Sequence, residues 1–321
     1  MQYLMLLWPH ANARYRAEAQ RLALCEARIL LGEGFAIEPA EHLGLPALRL
    51  EGDGPLPRRL RDHSLLYGLY EARPDGSLAP VMGRREALLG EDLPGILKYK
   101  GKTNELFTQM LLNVARGAAQ LPDDAPLRLL DPMCGRGTSL FLAVNLGWTP
   151  TGSDVDKAAL KEGEQFFKRY LEYHRVKHRL TRQSLTVGGR PAPCAQFTFP
   201  RGEGENELRL VQLDAADVRR AFGAGRFEIV ACDLPYGVQH ASKGGSLLSL
   251  LARALPAWRD ALTPGGAVAV SFNAQTTKLE DVRRAMADAG LAPLTGGPWD
   301  GFAHWVEQAV TRDVAVAAKP F

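Results

Sequence analysis

From about residue 103 to the C-terminus, short apolar runs alternate with longer amphipathic stretches, and this alternation restricts the fold more than any other feature. Strands are predicted at 127–131, 149–154, 207–212, 227–232, 266–272 and 303–314. Helices are predicted at 103–119, with Thr103 as its cap and Glu105 in its first turn, and at 137–146, 156–180, 215–222, 246–262 and 278–289. Strands joined through helices run parallel, because each crossover returns the chain to the same end of the sheet. The expected class is therefore α/β, with a doubly wound, mostly parallel sheet and any ligand at the carboxyl ends of its strands. Residues 183–206, rich in Gly, Pro, Thr and Arg, read as a long loop or an inserted hairpin.

The first ninety residues obey another pattern. A strand at 2–8, a helix at 12–31 stopped by Gly32, strands at 34–38 and 46–51 and an apolar run at 64–72 suggest a small α+β module, for which a ferredoxin-like arrangement is one candidate. Pro74, Asp75, Gly76 and Pro80 punctuate the stretch after that run. We place a domain boundary at about residue 90, giving an α+β domain at 1–90 and the sheet domain at 91–321.

Composition sets the outer limits. A chain of 321 residues, 46% hydrophobic, can build its core without disulfides or metal. A net charge of +3 permits a nucleic-acid partner without pointing to one. The four cysteines, Cys25, Cys134, Cys194 and Cys232, form no C-x-x-C pair, so free thiols are expected and no metal site. The apolar start, Met1 to Trp8, has no basic flank and is too short for a signal core or a membrane span. A buried strand and a cytoplasmic location are expected.

Three predicted strands end in an acid. The first runs Leu129-Leu130-Asp131-Pro132-Met133-Cys134-Gly135-Arg136-Gly137-Thr138. Its two glycines allow a tight turn and close approach of backbone to a ligand. The third glycine of a dinucleotide fingerprint and the Lys-Ser/Thr of a P-loop are both missing, which disfavours hydride and phosphate chemistry. The second strand ends at Asp154, where a carboxylate can accept from both ribose hydroxyls. The third ends at Asp214-Ala215, where a carboxylate can accept from an adenine amine. The competing role for each is a helix N-cap, which fits Asp156 and Asp217 better than Asp131, Asp154 or Asp214.

The fourth strand runs into Asp233-Leu234-Pro235-Tyr236-Gly237. An exocyclic base amine is a poor nucleophile because its lone pair is conjugated into the ring. A site helps by accepting hydrogen bonds from both N–H groups. Asp233 offers one acceptor and the Leu234 carbonyl, on a turn fixed by Pro235, the other. Tyr236 offers a flat face for an unstacked base. A methyl group can then pass from a sulfonium to the nitrogen, mainly through proximity and orientation.

These two stretches together resemble the amino-methyltransferases of RNA, above all the tRNA guanosine-N2 methyltransferases and their THUMP-domain relatives. Lys98-Tyr99-Lys100-Gly101-Lys102-Thr103-Asn104-Glu105 is similar to the motif that precedes them in that family and touches the methionine end of the cofactor. The resemblance covers about 95–315 and implies a Rossmann-like class I methyltransferase fold, S-adenosyl-L-methionine as cofactor and an RNA substrate. It implies cofactor contacts at Thr103, Asn104, Asp131, Pro132, Cys134, Gly135, Gly137, Thr138, Asp154, Asp214, Ala215 and Asp233, and catalytic roles for Asp233, Leu234, Pro235 and Tyr236. The family more often carries D-P-P-Y or N-P-P-Y where this chain has D-L-P-Y. Ninety residues are too few for a ferredoxin-like module and a full THUMP domain together.

From Lys168 to Arg182 there are six Lys/Arg and one acid, with aromatics interleaved. Lys168, Arg169, Arg175, Lys177 and Arg179 are candidate phosphate contacts, and a solvated helix face is the competing reading. His174 and His178 lie four apart with no third ligand, so no metal is expected there. The reading is an N-methyltransferase of a base amine, guanine N2 in RNA first. The alternatives are DNA adenine-N6 or cytosine-N4 methylation, methylation of a protein glutamine amide, and a silent cofactor-binding protein that handles RNA.

Overall fold

The computed structural model describes residues 1–9, 13–235 and 246–321. The N-terminal region forms β1 (Gln2–Leu7), α1 (Ala13–Leu31), β2 (Ala36–His42), β3 (Leu45–Glu51), β4 (Leu66–Ala72) and β5 (Leu78–Met82). They make one antiparallel sheet in the order β2-β3-β1-β4-β5. Because β3 separates β1 from β2, α1 completes a split β-α-β unit, the core of a ferredoxin-like arrangement. Its second crossover is not a helix but a 3-10 turn at Arg58–Asp62. β5 was not expected, since Pro80 argues against a strand. On the sheet edge its missing N–H costs no ladder bond.

The rest of the chain builds the larger sheet. Its strands are β6 (Arg128–Asp131), β7 (Thr149–Asp154), β8 (Arg179–Val187), β9 (Arg190–Arg201), β10 (Gly204–Gln212), β11 (Phe227–Asp233), β12 (Leu262–Asn273), β13 (Ala292–Pro293), β14 (His304–Glu307) and β15 (Val310–Ala318). The helices are α2 (Leu93–Ile96), α3 (Glu105–Ala118), α4 (Thr138–Asn145), α5 (Lys157–Tyr173), α6 (Val218–Phe222), α7 (Leu247–Ala261) and α8 (Leu279–Asp288). The sheet order is β13-β15-β12-β11-β6-β7-β10-β9-β8, with β14 paired to β15. The five central strands are parallel, and β15 enters antiparallel beside β12. The chain starts in the middle at β6, winds out through β7 and β10, then returns to the other side of β6 with β11 and β12. The switch point lies between β6 and β11, and ligands of open α/β sheets bind at such a point.

Two expectations need correcting, and one left open between a loop and an inserted hairpin is decided for the hairpin. The helix expected to Leu180 ends at Tyr173, where Arg175 takes a left-handed backbone (φ 55°) and residues from Arg179 pair with β9 as a strand. Residues 183–206 are a hairpin that widens the sheet, with β8 and β9 running antiparallel and β9 antiparallel to β10. The strand expected over 303–314 is two strands, β14 and β15, joined by a tight turn.

One core cluster lies on the α3–α4–α5 face of the large sheet and another on the α7–α8 face. α1 covers the small sheet and also packs on α3, where a side chain at Gly117 would meet Ile29 at 2.3 Å. Beside that contact Glu26, wholly buried, accepts from the Ser64 backbone at 2.8 Å, from the Ser64 hydroxyl and from Asn113 Nδ2 at 2.6 Å. Gln109 and Asn113 of α3 also donate to the Asp62 carbonyl, at 2.7 and 2.5 Å. Among the described residues no helix is long and apolar enough to cross a membrane.

Candidate active site

The glycine turn after β6 is shaped by its backbone. Gly135 and Gly137 have φ of 52° and 93°, a region where a side chain is strained, and Gly137 is the N-cap of α4. A Cβ built on Gly135 meets nothing within 4 Å, so the loop faces open space there. Its other side is packed. A Cβ at Gly163 of α5 would lie 2.5 Å from the Arg136 carbonyl, and one at Gly152 of β7 would lie 2.6 Å from Cys134 Sγ. Cys134 is thus turned inward, and its N–H donates to the Ser153 carbonyl at 3.0 Å. Burial pushes the Cys134 and Cys232 thiols well up, and all four cysteines are buried and outside any disulfide.

The acids at the strand ends hold the loops. Asp131 accepts from Met133 N at 3.0 Å and from the Ser139 hydroxyl. Burial pushes its carboxyl up to about 7 against those two hydrogen bonds, with Asp154 and Asp233 adding to the rise. Asp154 accepts from Gly135 N and Asp156 N, each at 2.8 Å, so one side chain fastens β7 to the glycine turn. Asp156 is the N-cap of α5. The expected capping roles of the third strand are reversed. Asp214 is the residue that caps, accepting from Ala216 N at 2.9 Å, and its other oxygen meets Arg253 at 3.1 Å. Asp217 makes no cap bond and pairs with Arg220 at 2.9 Å. Ala215, buried, accepts from the Trp258 indole at 2.9 Å.

Asp233 ends β11, across the switch point from the glycine turn. It accepts from the Thr103 hydroxyl on one oxygen and from the Ser271 hydroxyl on the other, and Arg312 lies 3.6 Å away. Leu234 N–H donates to the Ser271 carbonyl at 2.9 Å, anchoring the turn to β12, and Pro235 follows at the exposed surface. Tyr236 and Gly237 lie outside the described residues. Thr103 is therefore not the cap of α3. Asn104 takes that place, accepting from Leu106 N at 2.9 Å and Phe107 N at 3.3 Å, which leaves Thr103 to reach Asp233. The segment before α3 reaches the glycine turn too. Tyr99 OH lies 3.3 Å from Thr138 Oγ1, and Arg136 lies over the Tyr99 ring at 4.5 Å.

Ser271 and Arg312 were not expected beside Asp233, whereas Tyr99 was expected at the site as part of the 98–105 motif. Ser271 carried a usable signal, a polar residue within an apolar central strand, since a buried hydroxyl there needs a partner. Arg312 carried none, because only the fold of the β14–β15 hairpin brings it to Asp233.

The acids at the ends of β6, β7 and β10, three adjacent strands, gather at the carboxyl edge of the sheet, with Gly135 open beside them. This donor and acceptor set fits a nucleoside-bearing cofactor, with Asp154 and Asp214 able to hold its ribose and base. Asp214 does so only in competition with Arg253.

The basic segment divides. Lys168, Arg169, Arg175, Lys177 and Arg179 are all exposed, and Lys168 pairs with Glu172 at 3.3 Å. The interleaved aromatics are mostly core. Phe167 is fully buried against Phe141, Phe197 and Phe199, and Tyr170 is buried, while Tyr173 is exposed. Among the described residues no group of three or more His, Cys, Asp or Glu could hold a metal.

A mostly parallel sheet of this order, entered by one antiparallel strand and carrying a glycine turn after its first strand, is a Rossmann-like, doubly wound α/β arrangement. No protein-family model matches the chain, and no curated protein matches it. Among solved structures, TrmN from Thermus thermophilus is similar at 17% identity and a TM-score of 0.44, over 89% of this chain and 60% of that one. A methyltransferase from Pyrococcus furiosus is similar at 15% identity and a TM-score of 0.45, over 70% of this chain and 89% of that one. The rRNA methyltransferase aviRa from Streptomyces viridochromogenes is similar at 16% identity and a TM-score of 0.43, over 72% of this chain and 91% of that one. These likenesses are too loose to support an inference about this chain, and its fold is read from its own strand order.

Proposed function

We propose that this chain is an S-adenosylmethionine-dependent N-methyltransferase that acts on an exocyclic amine of a nucleic-acid base, guanine N2 in RNA. One observation carries the reading. A carboxylate at the end of β11, Asp233, is held by two hydroxyl donors across the switch point from an open glycine turn. Thr103 and Ser271 each engage one Asp233 oxygen, so the carboxylate is oriented before substrate arrives, and a carboxylate is the acceptor type that an amine N–H requires. The backbone at Leu234, anchored to Ser271, offers its carbonyl as the second acceptor.

The bound cofactor supplies an electrophilic methyl group. The chain supplies position and a proton acceptor. With both N–H groups directed to fixed acceptors, the amine lone pair is turned out of the ring plane and toward the methyl carbon. The nitrogen that receives the methyl group would shed a proton to Asp233, which need not be a strong base for this.

The test is transfer of labelled methyl to total RNA, total DNA and protein from the source cell, followed by nucleoside analysis. N2-methylguanosine in RNA is expected. Label confined to DNA or to protein overturns the substrate, and cofactor binding without transfer to any of the three overturns the enzyme.

A further inference from the structure

A second cavity shares a wall with the Asp233 site. It has a volume of about 280 Å³ and is lined by Leu22 of α1, Phe107 and Met110 of α3, His304 and Trp305 of β14, and Arg312 of β15. Its walls are mainly apolar and aromatic. Phe107 and His304 meet at 5.2 Å between ring centres, with their planes tilted by 44°. Trp305 is 38% exposed, unusual for so large an apolar ring. Arg312 joins the two sites, since its guanidinium lies 4.4 Å from the Phe107 ring centre on one side and 3.6 Å from Asp233 on the other. Arg312 therefore stands between the cavity and Asp233.

We propose that this cavity is a base subsite, which receives the unstacked base of the nucleotide adjoining the one that is methylated. The inference rests on the proposed reaction at Asp233 and names its next substrate contact. Aromatic rings with a guanidinium beside them are what sequence-tolerant binding of single-stranded nucleic acids uses. Burial holds the His304 imidazole below its usual range, so its face is that of a neutral ring at neutral pH. The α1 wall does not drift, because the buried Glu26–Ser64–Asn113 bonds fasten α1 and the start of β4 to α3. The N-terminal sheet thereby helps to build the substrate site through α1.

The experiment uses the full chain and single-stranded RNA decamers that carry one guanine, with an abasic residue placed 5′ of it, 3′ of it, or at neither position. Affinity is measured for the wild type, for Trp305→Ala, and for Ala19→Phe, which fills the cavity from α1. Melting temperature and S-adenosylmethionine affinity are followed alongside. In the wild type, one of the two abasic decamers should bind about tenfold more weakly, the scale of one lost base–aromatic stack. Both variants should bind the intact decamer about tenfold more weakly and lose little more with that abasic decamer, because both changes remove the same contact. Equal binding of all three decamers by the wild type, with methylation of their guanine intact, overturns the subsite and leaves the reaction standing. Independent, multiplied losses in the variants overturn it too. A wild type that binds none of the decamers overturns the subsite and the nucleic-acid substrate together.

Discussion

In the proposed reaction Asp233 concentrates the chemistry into one side chain, and its neighbours say how it should respond to mutation. Asp233→Ala should leave S-adenosylmethionine affinity and melting temperature close to wild type while lowering the methyl-transfer rate at least about a hundredfold, the low end for a proton-handling group. Near-wild-type turnover would sink the mechanism. Ser271→Ala should have a smaller effect, because Thr103 and Arg312 still hold the carboxylate. Asp131 behaves differently, since burial raises its pKa to about 7 from an ordinary value near 3.8. Between about pH 4 and 7 the folded chain keeps a proton on Asp131 that the unfolded chain has released, so folding loses stability as pH rises through that window. Asp131→Asn should flatten this part of the melting-temperature profile. Parallel profiles for variant and wild type would show that the native carboxyl is already ionised across it.

At the scale of elements, α5 holds the glycine turn from behind and carries the basic segment at its far end. Gly163→Ala pushes a methyl group against the Arg136 carbonyl, backbone that cannot move without the turn. Titration calorimetry should show weaker cofactor binding although no donor or acceptor has been removed. Asp154→Ala should weaken it as well, through loss of the bond to Gly135 N as much as any ribose contact. Unaltered affinity in both would move the cofactor away from this turn. Arg175 and Lys177 lie on the connection from α5 to β8 and Arg179 opens β8, so the three do not share one helix face. Replacing all three with Gln should weaken RNA binding and reduce the slope of affinity against salt. A slope equal to wild type would leave these residues as solvated surface.

Across the whole molecule, the small sheet and the large one meet at α1 and α3 through buried polar bonds. Glu26 is wholly buried, and Asn113 is one of its few donors. Asn113→Leu removes one of two donors to Glu26 Oε1 and one of two to the Asp62 carbonyl, which keep Ser64 N and Gln109 Nε2, so the cost is that of two lost hydrogen bonds, roughly 0.5–1.5 kcal/mol each. The variant should melt several degrees lower. If the base subsite is right, its KM for RNA should rise more than its Kd for S-adenosylmethionine. Equal changes in the two would mean that the interface only stabilises the fold.

Local sequence determined the alternation of strands and helices from residue 103 onward, and with it a parallel sheet whose strands end near Asp131, Asp154, Asp214 and Asp233. It could do so because hydrophobic period, glycine turns and terminal acids are local properties of the chain. Tertiary structure decided what those acids touch. Asp214 caps a turn, Thr103 gives up its cap to Asn104 and reaches Asp233, and residues 179–187 become a strand because β9 offers a partner edge. It also brought Ser271 and Arg312 to one carboxylate across 38 and 79 residues of chain. Contacts of that separation depend on strand order and register, which no local pattern of residues encodes.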